Sequence, residues 1–133
     1  MKLATRLYTA KDYDILTTWW NAHGSYPPKP QHLSATGLIV EAGGNPVCAG
    51  FLYKTDSKIC VFEFVVSDPN AEKEIRDACL ILLIEEIKTL ASQEYELIYS
   101  SVRGSKYIQR LLEGNFIIAD REQTHMFYEV GNE

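Results

Sequence analysis

In "KICVFEFVVS", residues 58–67, a single carboxylate, Glu63, stands in an otherwise apolar run rich in β-branched and aromatic residues. A carboxylate placed there loses hydration, so its pKa rises toward the range in which it can accept a proton from a substrate group. Glu63 is the candidate general base; on the solvent side of its strand it would only aid solubility. The overlapping stretch "FVVSDPNAEKEIRDACLILLIEEI", residues 64–87, passes from apolar strand through a proline and a polar turn into a helix. Many nucleotide- and coenzyme-binding proteins present a phosphate site in this way. The usual glycines are missing. Lys73 and Arg76, three apart on one helix face, can reach phosphate oxygens, while Glu72, Glu74 and Asp77 oppose an anion. A third group lies upstream: Trp19, Trp20, His23, Tyr26 and His32. Adjacent tryptophans point to different sides of a helix, so either one is core and the other lines a cleft or meets a partner, or both are core. His23 can simply complement the negative end of its helix, and His125 has no matched partner in the sequence.

Positioning these groups requires a particular order of elements. "KLATRLY" alternates as a short first strand, and Tyr13, Leu16, Trp19 and Trp20 fall at helical spacing after a Thr9 cap. "SYPPKPQHLSATG" holds three prolines in thirteen residues and reads as an ordered loop with one helical turn at most. "LIVEA", "VCAGFLYKT" and "KICVFEFVVS" form an antiparallel meander, and a second turn centred on Asp56 and Ser57 puts Glu63 opposite Gly50 and Cys60 opposite Tyr53. A helix over about 70–92 follows, apolar on more than one side. Then come the strand "ELIYSSV", the short helix "SKYIQRLLEG", and two last strands, "NFIIAD" and "THMFYEV". The fold class is α/β (α+β): one mixed, mostly antiparallel sheet of six to seven strands with helices on both faces.

With 133 residues, 46% hydrophobic and 23% charged, the chain is the size of one domain. Cys48, Cys60 and Cys79 lack metal-like spacing and sit in apolar runs, so all three read as core. A net charge of −5 argues against a general nucleic-acid binder, although Lys73, Arg76, Arg103, Lys106 and Arg110 form a local basic patch. No run reaches the ~18 apolar residues of a membrane span, and "MKLATRLYTAKDYD" has no leader pattern, so a cytoplasmic protein is expected.

The order of elements, together with "VCAGFLYKTDSKICVFEFVVSDP" and "RLLEGNFII", resembles the GNAT superfamily of acyl-CoA N-acyltransferases across essentially the whole chain, its small phage-encoded members most nearly. The resemblance implies a fourth and fifth strand that splay apart. The pantetheine arm of acetyl-CoA would lie in the gap against the main chain of Phe64, Val65 and Val66. The pyrophosphate would rest on the amides of the turn from Asn70 to Glu74, helped by Lys73 and Arg76. The family motif there, R/Q-x-x-G-x-G/A, is replaced by "NAEKEIRD".

The resemblance also implies acetyl transfer to an amine, with Glu63 at a position some members use for the base. The family's acid is a tyrosine in a pattern like L-Y-E-K-x-G-F. This chain has Leu111 or Leu112 at that place, and Tyr107 one turn earlier is the nearest aromatic. The acceptor site would be built from Trp19, Trp20, His23, Tyr26 and His32. The implied partners are acyl-CoA and a small-molecule or protein amine, with a homodimer plausible and no nucleic acid or membrane. The other reading is a degenerate member that acts as a binding or regulatory module on a protein partner.

Overall fold

The computed structural model describes residues 1–131. Five strands, β1 (Leu3–Leu7), β2 (Gly37–Ala42), β3 (Asn45–Tyr53), β4 (Ile59–Ser67) and β5 (Leu97–Tyr99), form one sheet in the order β1-β2-β3-β4-β5. The first four pair antiparallel and β5 joins β4 in parallel. Three helices accompany them: α1 (Tyr13–Ala22), α2 (Lys73–Ala91) and α3 (Ser105–Glu113).

The pleat divides the core in two. Leu38, Val40, Cys48, Leu52, Cys60 and Phe62 face one side, where α2 lays down Cys79, Leu83, Ile87 and Ala91, a stripe at four-residue spacing. Ile39, Ala49, Phe51 and Val66 face the other side and are covered by Leu16, Trp19 and Trp20 of α1, spaced i, i+3, i+4. Helices on both faces therefore follow from strand alternation. All three cysteines are free and buried, as the sequence suggests. On α2 the exposed Ile81 breaks the expected burial on several sides, while Ile84 is covered by the end of α3 at Gly114.

Three sequence expectations are corrected. The sheet has five strands among the described residues, not six to seven: "NFIIAD" and "THMFYEV" form no ladder. Strand-forming sequence becomes strand only when a neighbouring edge takes up its N–H and C=O groups, and β5 is three residues long. Second, α2 starts at Lys73, because the Asp68 carboxylate accepts the Asn70 amide at 2.9 Å and holds a turn where helix was expected. Third, the β3–β4 register is one residue off. Glu63 faces Phe51, not Gly50, and Tyr53 faces Val61, not Cys60. The connecting turn is longer than two residues because the Thr55 and Ser57 hydroxyls close it on the backbone of Ser57 and Ile59.

The loop over 23–36 is pinned at three points. The Tyr13 hydroxyl donates to the Pro28 carbonyl at 2.7 Å, Tyr53 to the His32 carbonyl at 2.6 Å, and Ser34 to the Leu52 carbonyl at 2.7 Å. It contains one short 3-10 turn, Pro30–His32.

Candidate functional site

Glu63 occupies the point where β4 and β5 part. Pairing runs from Ile59↔Leu97 to Val61↔Tyr99, after which the Ser100 hydroxyl takes the Phe62 carbonyl at 2.6 Å. The next link is made by a side chain: Ser101 N–H donates to Glu63 Oε1 at 2.7 Å. Beyond it, no strand among the described residues pairs with β4 on that side, and the main-chain groups of Phe64, Val65 and Val66 border the gap.

A β-bulge sets the faces here. The register shifts between Ala49 and Phe51, so Phe64 and Val65 together oppose Gly50, and Phe64 takes φ +58°. A bulky residue in the left-handed region costs of the order of 1 kcal/mol or more. The bulge reverses the alternation, so Glu63 and Val66 both face α1 whereas Phe62 and Val65 face α2. Gly50 is required opposite it: a Cβ there would lie 2.6 Å from Cε1 of Phe62. Phe64, half-exposed, meets Tyr53 edge-on with ring centroids 6.0 Å apart.

Burial raises the Glu63 carboxylate above its ordinary value, and the Ser101 hydrogen bonds and the charge of His125 pull it partly back. Tyr107, on α3, has its hydroxyl buried with no hydrogen-bond partner. Burial pushes that phenol up, and the negative charge of Glu63 pushes it further. Tyr107, the aromatic nearest to the place of the family's acid in the sequence, thus has its hydroxyl within the field of Glu63. Leu111 is buried and Leu112 lies at the surface.

The turn before α2 is partly closed. Asn70 gives its amide to Asp68, and Ala71 N–H goes to the Asp68 carbonyl at 3.2 Å, so Asn70 has no amide to offer an anion. No side chain caps α2, which leaves the first-turn amides around Lys73 and Glu74 facing outward. The Arg76 guanidinium lies 3.5 Å from the Pro69 carbonyl, beside the same turn. Arg110 leaves the basic patch: it is held by Asp77 at 2.9 Å and Glu113 at 3.0 Å.

Of the expected acceptor residues, Trp19 and Trp20 are 3% and 4% exposed and belong to the core under α1, which removes both from any cleft wall. His23 ends α1 and its Nε2 donates to the Ser67 carbonyl at 2.8 Å, tying that helix to the end of β4. Tyr26 is fully on the surface, and His32 contributes its carbonyl to Tyr53. Tyr53, Ser101 and His125 were not singled out as site residues from the sequence. Tyr53 could have been found from the register, since it lies two residues from Phe51, the partner of Glu63; the other two carry no local signal. Among the described residues no group of His, Cys, Asp or Glu is arranged to hold a metal, and no helix is long and apolar enough to cross a membrane.

No protein-family model and no curated protein matches the sequence. Solved structures do match. The ribosomal-protein-S18-alanine N-acetyltransferase of Escherichia coli superposes with a TM-score of 0.69 at 12% identity, covering 90% of this chain and 80% of that one. An aminoglycoside acetyltransferase from an uncultured soil metagenomic sample gives a TM-score of 0.63 at 11% identity, over 96% of each chain. N-acetylglutamate synthase of Neisseria gonorrhoeae, in complex with coenzyme A and N-acetyl-glutamate, gives 0.61 at 12% identity, covering 84% of this chain and 28% of that one. With this sheet order, the parting of β4 from β5 and these neighbours, the chain has the fold of the GNAT acyl-CoA N-acyltransferases.

Proposed function

We propose that this protein is an acyl-CoA-dependent N-acyltransferase that moves an acetyl group from acetyl-CoA to an amine. The observation that carries the reading is Glu63: a half-buried carboxylate, raised by burial, at the opening between β4 and β5, whose charge also acts on the buried, unpartnered hydroxyl of Tyr107. Three features fit an acyl-CoA. The β4 main chain at Phe64, Val65 and Val66 borders the gap and suits the amides of pantetheine. The amides at Lys73 and Glu74 are uncapped, and Lys73 and Arg76 stand beside them for the phosphates. The Tyr107 hydroxyl still needs an acceptor.

The acyl-CoA supplies an activated acyl carbon and a thiolate leaving group. Glu63 accepts the proton that the acceptor amine sheds, and its raised pKa makes it a stronger base than an exposed carboxylate. Tyr107 gives its proton to the departing sulfur and regains one from solvent. Its raised pKa keeps the phenol protonated until then, at some cost in driving force. The acceptor binds on the α1 face, where Phe64 and Tyr53 form an aromatic wall. The absence of a membrane-crossing helix among the described residues is compatible with a cytoplasmic enzyme, and the exposed Ile117, Met126, Phe127 and Val130 favour a homodimer.

One observation favours a second reading. Asp68 occupies an amide that an anion would use, in a turn without glycine, as expected of a regulatory module that has lost catalysis. Calorimetric titration with acetyl-CoA, against desulfo-CoA and adenosine diphosphate, tests both. Micromolar binding followed by amine-dependent release of thiol is expected. Binding without turnover across an amine panel leaves the module, and no binding at millimolar acetyl-CoA removes the acyltransferase reading and leaves a module that acts on a protein partner.

A further inference from the structure

Between Gly24, which turns the chain away from α1 at φ +75°, and the 3-10 turn that begins at Pro30 runs "YPPKP", residues 26–30. Nothing in the proposed catalysis uses it. Proline dictates its backbone: each proline fixes its own φ near −65°, and Tyr26, Pro27 and Lys29 each precede a proline, which keeps them out of the helical region. Lys29 stands at φ −68° and ψ 153°, close to ideal polyproline II. That helix has three residues per turn, so residues three apart share a ridge, and burial follows the same period. Pro28 is buried. Tyr26, 92% exposed, and Lys29 form one outer ridge, and Pro27 and Pro30, half-buried and exposed, form the other. The inner side is fastened, because the Tyr13 hydroxyl holds the Pro28 carbonyl at 2.7 Å and the His32 N–H holds the Lys29 carbonyl at 2.9 Å. The carbonyls of Tyr26 and Pro27 meet no donor among the described residues. Stiffening the loop would by itself account for the prolines. It does not account for a large ring and a cation held together on the outer ridge.

We propose that Tyr26–Pro30 is a preformed recognition ridge for a partner protein whose groove is lined by aromatic side chains and carries a carboxylate opposite Lys29. Grooves of that kind read a polyproline II helix by its ridges, and here both outer ridges are open to solvent. Pro27 and Pro30 offer the apolar ridge, the free carbonyls accept from a Trp N–H or Tyr O–H in the groove, and Lys29 adds a charge-assisted hydrogen bond that sets the direction of docking. Tyr13 has already ordered the segment, so binding loses little further entropy. The ridge goes beyond the acyltransferase reading and does not depend on it.

NMR of the ¹⁵N-labelled full chain, titrated with purified SH3 and WW domains as probes, tests the ridge. Saturable shifts of the Tyr26, Lys29 and Gln31 amides with at least one domain are expected. Lys29→Glu reverses the charge and lowers the affinity about tenfold or more, and Pro27→Ala combined with Pro30→Ala lowers it by a similar factor. Tyr13→Phe keeps every residue of the ridge but releases the Pro28 carbonyl, and it lowers the affinity a few-fold. Unchanged spectra outside residues 23–36 show that each variant keeps the fold. No shift with any domain at millimolar concentration overturns the proposal. Affinity that survives both Lys29→Glu and the double proline variant overturns it too, because the contact then lies elsewhere. Full affinity in Tyr13→Phe overturns the preformed ridge, since a flexible proline segment would then bind as well.

Discussion

Asp12 and Glu63 are both carboxylates drawn toward the sheet, and the fold treats them in opposite ways. Asp12 receives both Nη atoms of Arg6, at 2.9 and 2.8 Å, and the amide of Thr9 at 2.8 Å, while Arg6 Nε reaches on to Glu41 at 3.0 Å. These bonds hold the Asp12 carboxyl below the usual carboxylate range, chiefly through Arg6. Glu63 has Ser101 and the more distant charge of His125, so burial prevails and its pKa moves up. A saturated carboxylate joins β1, the start of α1 and β2 into one unit and has nothing to offer a ligand. An under-satisfied one is poised to take a proton, and Tyr107, whose phenol feels its charge, is under-satisfied as a donor. The difference lies in hydrogen-bond supply, since both groups are partly removed from water.

The largest effect that would break this comparison is on turnover. Glu63→Gln keeps an oxygen for the Ser101 amide but cannot act as a base, so kcat/KM falls about 10²- to 10⁴-fold while acetyl-CoA affinity stays within a few-fold. Steady-state kinetics with calorimetry checks it; retained turnover would assign Glu63 to structure, beside Asp12. If Glu63 is the base, the acid limb of the parent protein's rate profile follows Glu63 and lies above the range of an exposed carboxylate, because ionisation is what creates the base.

At the saturated site the effect appears in stability instead. Arg6→Met leaves Asp12 without its main partners. Arg6 is 35% exposed, so solvent screening keeps the loss below that of a fully buried pair, at about 1–2 kcal/mol in urea unfolding at pH 7. The pH dependence has a definite sign. The folded-state pKa of Asp12 is depressed, so its contribution is fully present above its unfolded value, about 3.9, and is lost as pH falls through the folded one. The difference between parent and Arg6→Met should therefore shrink below about pH 4. A difference that stays constant into the acid would mean that the aliphatic stem of Arg6, not its charge, holds β1 in place.

How far the sequence revealed this arrangement depends on whether a property is local. Runs such as "VCAGFLY" and "KICVFEFVV" name their own strands, and the four-residue spacing of Cys79, Leu83 and Ile87 names a buried helix face, so the element order is readable through α3. The register was not, because it hangs on two hydroxyls in the turn, Thr55 and Ser57, that no hydrophobic pattern reports. "THMFYEV" has strand composition, but pairing needs an edge elsewhere in the chain, and its Met126 and Phe127 remain exposed. Trp19 and Trp20 share the core because an indole is long enough to reach the sheet from either of two adjacent helix positions. For the site, Glu63 stood out as a charge in an apolar strand. Tyr107 stood out only by resemblance, and its unpaired hydroxyl is a property of three dimensions.

Tyr107 supplies the sharpest version of the comparison, with the smallest effect. Its hydroxyl has no partner in the fold, so Tyr107→Phe removes a buried polar group without breaking a bond, and stability should stay level or rise by up to ~1 kcal/mol. If that hydroxyl protonates the leaving sulfur, the same substitution lowers kcat about tenfold or more and leaves acetyl-CoA affinity in place, because the lost interaction exists only in the transition state. Parallel denaturation and single-turnover measurements separate the alternatives. A slower but no less stable protein is what a donor held in reserve for catalysis requires. A less stable protein with unchanged rate would mean that the hydroxyl is satisfied in solution and that Tyr107, like Asp12, serves the fold.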